Sequence, residues 1–228
     1  MKKAHGNILL LLLVGIALFA ALSFAALEGG STQDNQYDTE KNTVEATRLI
    51  QYMRDINTGY RRLRMMNNCR PEYISFEHAD WNDGSPGSNA DSPADENCHL
   101  FAENGGKATY KPYSFQYVLA GTAFLGHGPL CTDASCSELA YIVRLSDTAS
   151  SNNNFSAGNA AEICMAINDL LHETNTAPQA ADIVTGGWDG SFDYTAQMTV
   201  TELSGKKIGC LNDKNGDAYS LYNILEVR

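Results

Sequence analysis

Lys2 to Gly30 reads KKAHGNILLLLLVGIALFAALSFAALEGG, and within it Ile8 to Leu27 carries no charge over twenty residues. At about 1.5 Å per residue, an α-helix of that length matches the roughly 30 Å hydrocarbon core of a bilayer. The expectation is a basic leader at 1–6 and a transmembrane helix at 7–27. Lys2 and Lys3 precede the run and Glu28 follows it, so the bias of positive charge toward the cytoplasm sends the remainder outward. That places the chain as a single-pass inner-membrane protein, its N-terminus cytoplasmic and its head periplasmic or extracellular. Three fates of the run stay open. It is cleaved near Ala25, where SFA at Ser23 to Ala25 offers the small residues a signal peptidase reads; it is kept as a plain anchor; or it is processed at Gly6.

Gly6 sits directly between the short basic leader and the apolar run. MKKAHG followed by NILLLLLVGIALFAALSFA resembles the N-terminus of type IV pilin-like and pseudopilin-like proteins. The resemblance implies removal of the leader after Gly6, a new N-terminus at Asn7, and a helix that stays in the membrane until subunits assemble. The partners it implies are like subunits or other pilin-like proteins, met through that helix. Asn7 stands where the family usually has Phe or Met, and Leu11 occupies the fifth mature position, where its major subunits carry Glu. Both differences fit a minor or divergent component better than a main filament subunit. CRPEYISFE from Cys69 and ENCHLFAENGG from Glu96 also resemble segments of exported proteobacterial proteins with the same type of leader, a likeness that brings no activity with it.

Beyond the run, EGGSTQDNQYD at 28–38 reads as a polar break, with Gly29 and Gly30 ending the first helix. The exported head is then 39–228. It opens with a long amphipathic helix at 39–66, in which Val44, Leu49, Ile50, Met53, Ile56, Tyr60 and Leu63 recur every three to four residues. About 190 residues after the break suffice for one domain with a substantial core.

Strand-like segments dominate the chain beyond this helix: Glu72 to Glu77, Ala108 to Gly121, Leu139 to Leu145, Asp193 to Leu203 and Ala218 to Val227 are rich in aromatic and β-branched residues. NDKNGDAY, with Asn215 and Gly216 at its tip, predicts a closing β-hairpin. Asn159 and Glu162 predict a capping box ahead of Ile163, Cys164, Ile167, Leu170 and Leu171. Asn82 to Asn97 and Ser146 to Asn159 read as long surface loops. The fold class is α+β: the long helix packed on an antiparallel β-sheet.

Six cysteines, Cys69, Cys98, Cys131, Cys136, Cys164 and Cys210, all follow the apolar run, on the side where disulfides persist. They read as three bridges. Six cysteines allow 15 pairings; the preferred set joins Cys131 to Cys136 across a short loop, Cys69 to Cys98 and Cys164 to Cys210. A metal or redox site is the weaker reading, because no C-x-x-C and no Cys or His pair stands at ligand spacing.

With 16 Lys plus Arg against 27 Asp plus Glu the net charge is -11, which argues against a nucleic-acid ligand. Arg61, Arg62, Arg64 and Arg70 cluster at the end of the long helix. They suit an acidic neighbouring subunit or lipid head groups, or simply a solvated helix end favoured by the helix dipole. Catalytic constellations are missing from the sequence: it has no G-x-S-x-G, no H-E-x-x-H and no phosphate loop, and His5, His78, His99, His127 and His172 stand singly.

Asp80 with Asp83 and Asp189 with Asp193 flank Trp81 and Trp188 in Gly-rich loops, where a loop-pinning Trp outweighs carbohydrate contact. Asp213, Asn215 and Asp217 match half of a calcium loop, but Ala218 and Ile224 replace its Gly and its bidentate Glu. The expectation is therefore an assembly subunit with no enzyme activity and no cofactor. The alternative is a periplasmic or secreted binding protein or enzyme released by a signal peptidase.

Overall fold

In the computed structural model, residues 8–80, 89–113, 116–122, 137–147, 154–172, 174–178, 205–212 and 218–227 are described. The elements are α1 (Ile8–Met65), a short 3-10 turn (Pro71–Tyr73), β1 (Gln116–Thr122), β2 (Ser137–Asp147), α2 (Ala157–His172), β3 (Ile208–Asn212) and β4 (Ala218–Val227). The chain divides into two compact units, Met1–Lys41 and Asn42–Arg228.

In the first unit the backbone is helical from Ile8 onward. The break expected at 28–38 does not form: α1 runs through Gly29 and Gly30 without interruption. Each glycine costs about 1 kcal/mol relative to alanine, but no proline removes a hydrogen bond there, so the cooperative ladder continues. Among the described residues no helix is long and apolar enough to cross a membrane. The span expected at 7–27 rests mostly on side chains outside the described residues; those described are Val14, Ile16, Ala17, Leu18 and Phe19.

The second unit is α+β. Its part of α1 buries Ala46, Leu49, Ile50, Tyr52, Met53, Ile56, Tyr60 and Leu63, a stripe at helical spacing. Val44, expected in that stripe, is instead exposed, because it precedes Ala46 by two residues and so faces nearly the opposite way. The stripe packs on a four-stranded sheet of order β1-β2-β4-β3, antiparallel throughout. Tyr141, Val143 and Leu145 of β2 and Leu221 of β4 meet α1 in a core that also takes in Ile163, Cys164 and Ile167 of α2. Asn223 ties sheet to helix, its Nδ2 donating to the Met53 carbonyl at 2.8 Å. The alternate residues Ala140, Ile142, Tyr222 and Ile224 are buried as well, so both faces of the sheet are covered.

Three segments depart from their expected form. Glu72 to Glu77 gives the 3-10 turn Pro71–Tyr73 and then one parallel bridge, Ser75 to His99, because Pro71 fixes its φ and has no N–H for a ladder. The strand expected from Ala108 starts only at Gln116, after Pro112. α2 starts at Ala157, with the Ser156 carbonyl accepting from the Ala160 N–H at 2.8 Å, so Asn159 lies inside the helix. Glu162 makes no capping box there; its carboxylate accepts from Asn42 Nδ2 on α1. β4 runs Ala218–Val227 as the sequence predicts and pairs with β3 as a hairpin would. The hairpin tip at 213–217, the strand expected at 193–203 and most of the loop at 146–159 lie outside the described residues.

Tyr52, Tyr141 and Gln116 form a closed buried polar triad. Both hydroxyls donate toward Gln116 Oε1, at 2.9 and 2.6 Å, and lie 3.0 Å from each other; Gln116 Nε2 donates to the Lys111 carbonyl at 2.6 Å. Burial raises the pKa of Tyr52 and those of Tyr60 and Tyr222, the nearby carboxylates of Glu226 and Glu138 adding to the last two. Burial, then Glu45, pushes Tyr113 up to about 12. A raised tyrosine pKa favours the neutral, folded form, so the stabilisation is complete below pH about 10 and is lost as pH rises from there through the folded pKa. An alkaline titration followed by tyrosinate absorbance is expected to show these four rings ionising together, with loss of the fold. Independent ionisation near pH 10 in a folded chain would contradict the burial.

Candidate functional surface

Two surface regions meet at the Cys69–Cys98 disulfide, which clips a 29-residue stretch against the end of α1. Asn67 follows the helix and donates from Nδ2 to the carbonyls of Asn97 and Asn104, at 2.6 and 3.0 Å. Ser75 N–H donates to Cys98 O and Leu100 N–H to Ser75 O, so the stretch is pinned on both sides. Close backbone approach completes the seat: a Cβ on Gly105 would lie 2.0 Å from the His99 carbonyl oxygen, so no side chain fits there. The region expected as a loose loop is thus partly anchored. Asn89, 6% exposed, reaches the carbonyls of Glu72 and Ile74. The solvent-facing side of this stretch is acidic: Asp91, Asp95, Glu96 and Glu103 are all exposed.

The other region is the end of α1. Arg64 is committed internally, Nη1 donating to the Cys69 carbonyl at 2.8 Å and Nη2 standing 3.5 Å from Glu226 Oε1. Glu226 Oε2 accepts from the Tyr60 hydroxyl at 3.0 Å. A shallow cleft of about 400 Å³ opens beside this set, lined by Arg64, Arg70, Pro71, Glu72 and Glu226. Arg61 and Arg70 are exposed, and so are Met65 at 81% and Met66 at 71%. Sequence reasoning singled out the arginines and missed the methionines. The signal for them was present, since they follow Leu63 off the apolar stripe and lie one turn beyond Arg61 and Arg62.

A third feature is aromatic. His78 stacks on Tyr110 with ring centroids 4.0 Å apart, and Phe101 meets both edge to face. The Tyr110 hydroxyl donates to the Asp80 carbonyl at 3.1 Å and the Asp80 N–H to His78 Nδ1 at 3.1 Å. The ring nitrogen and the hydroxyl are therefore spent on holding the turn. Asp83 and Trp81 lie outside the described residues. His172 likewise is structural, Nε2 lying 2.7 Å from the Ile208 carbonyl.

The structure joins Cys69 to Cys98 and Cys164 to Cys210. Cys131 and Cys136, the processing residues Gly6 and Asn7, the calcium candidates Asp213, Asn215 and Asp217, and the pair Asp189 and Asp193 lie outside the described residues. Among the described residues no group of three or more His, Cys, Asp or Glu could hold a metal ion. The described residues offer pinned loops and charged, partly apolar surfaces. Comparison with protein-family models, curated proteins and solved structures finds no match.

Proposed function

We propose that this chain is an exported, membrane-tethered assembly subunit resembling a minor pilin or pseudopilin of a type IV pilus or type II secretion-like machine. It acts by helix packing and surface contact. One observation carries the reading: at the start of a helical backbone that begins at Ile8, the apolar side chains Val14, Ile16, Leu18 and Phe19 are 48 to 76% exposed. Apolar area left in water costs about 25 cal/mol per Å², so such a helix calls for lipid or for another helix of its kind. Lys2, Lys3 and Gly6 before the run supply the orientation and the processing site such a subunit needs. In this reading the inner membrane holds the helix starting at Asn7 until like subunits or other pilin-like proteins replace the lipid around it. The disulfide-braced head stays outside the cytoplasm and needs no nucleic acid.

The mature N-terminus tests this directly. Intact mass and terminal peptide mapping of protein from the native membrane fraction are expected to show a chain starting at Asn7. A start near Ala26 would remove the assembly helix and leave a released binding protein or enzyme; an intact Met1 would leave only a tethered domain.

A further inference from the structure

We infer that the basic, methionine-bearing end of α1 docks onto the acidic disulfide-clipped stretch of a second copy of this chain. The inference rests on the assembly reading and names the contact by which heads meet. Charge is sorted sharply along this part of the sequence: residues 61–70 hold four arginines and no acid, whereas residues 71–106 hold eight acids and no lysine or arginine.

The fold turns that sorting into surfaces. Arg61 and Arg70 are exposed and Arg62 is half-buried. Among the described residues no carboxylate forms an ion pair with any of the three; Arg64 alone of the cluster does so, with Glu226. The buried Nε of Arg62 has no hydrogen-bond partner among the described residues. Helical spacing puts Met65 beside Arg61 and Met66 beside Arg62, so the patch combines cationic heads with two flexible apolar side chains. That mixture is typical of contact surfaces, where methionine and arginine are enriched.

The complementary face is carried by the same chain. Asp91 and Glu96 are exposed, and no ion pair engages either of them among the described residues. Residues 89–100, which bear them, are tied to the end of α1 by the Cys69–Cys98 bond and backed by the close approach at Gly105. Because both patches are carried by every copy, the contact either pairs reciprocally in a two-fold dimer or runs head to tail from copy to copy.

The test is a charge swap in the full chain, in non-ionic detergent, read by sedimentation velocity. The association constant of the unaltered chain is expected to fall roughly tenfold or more between about 0.05 M and about 0.5 M salt. R61E/R70E is expected to lose the salt-sensitive association, as is D91R/E96R. An equimolar mixture of R61E/R70E with D91R/E96R should recover it, because the intact arginine end of one variant meets the intact acidic stretch of the other. A single chain carrying all four changes should recover the association, which also shows that the variants fold. Failure of the fourfold chain to recover it overturns the proposal. So does unchanged association of R61E/R70E accompanied by lost binding to phosphatidylglycerol vesicles, which would assign the arginines to lipid. Helix-mediated association is insensitive to salt and to these changes, and the mature N-terminus reports on it separately, so either reading can fail alone.

Discussion

Replacing Cys164 and Cys210 together by alanine is expected to lower the unfolding free energy of the head by about 4 kcal/mol. The bridge spans 46 residues of sequence, and closing a loop of that length removes about that much conformational freedom from the unfolded chain. The native side adds to the loss. Both cysteines are fully buried in the core between α2 and β3, so the two thiol-free side chains leave a cavity among Ile163, Ile167 and Leu221. Urea unfolding of oxidised wild type and of the double variant, followed by far-ultraviolet circular dichroism, measures the difference. A loss below about 1 kcal/mol would mean that the unfolded chain keeps α2 and β3 together without the bond. Cys69 and Cys98 close 29 residues, and their removal should cost slightly less by the same entropy. That second loss has a further consequence, because it would free the acidic stretch proposed to receive a neighbouring head.

Much of this architecture is legible from the residues because local pattern and tertiary use agree. The stripe from Leu49 to Leu63 is spaced for one helix face and is buried on one face. β4 alternates aromatic, aliphatic and polar side chains, and it pairs on both sides. Legibility fails where a local signal is overruled. Gly29 and Gly30 mark a stop in isolation, but they fall inside a long cooperative helix. Asn159 and Glu162 have the spacing of a cap, yet Glu162 is drawn to Asn42, 120 residues away. Glu72 to Glu77 has strand composition, but its start is drawn into the 3-10 turn Pro71–Tyr73 and Ser75 forms an isolated parallel bridge with His99. For the candidate surface, the arginine cluster was visible in sequence, whereas its pairing state was not: Arg64 is consumed by a glutamate 162 residues further on, while among the described residues no carboxylate pairs with Arg61, Arg62 or Arg70.

Asn168 is the residue whose importance no pattern announces, and its replacement by alanine is expected to cost about 3 kcal/mol. It lies on α2, fully buried, and faces the outer edge of β3. Its Oδ1 accepts from the Cys210 N–H at 2.8 Å, while Nδ2 donates to the Cys210 carbonyl at 2.7 Å and to the Thr176 carbonyl at 2.7 Å. The side-chain amide thus takes the place of a neighbouring strand at Cys210, blunting an edge that would otherwise recruit another chain. Asn168→Ala leaves a buried N–H and two carbonyls unpaired, each desolvated without return. Asn168→Asp separates the roles. The introduced carboxylate still accepts from the Cys210 N–H but turns its second oxygen toward two carbonyls, which raises its folded pKa above the ordinary value near 4. A group so raised stabilises the fold only while protonated, so stability should fall as pH climbs from about 4 through the folded pKa. Denaturant midpoints at acidic and neutral pH decide the matter. A loss under about 0.5 kcal/mol for Asn168→Ala, or a pH-independent Asn168→Asp, would show that water or backbone adjustment satisfies the edge instead. If the losses appear as expected, the Asn168 amide is what closes the β3 edge to strand addition at Cys210.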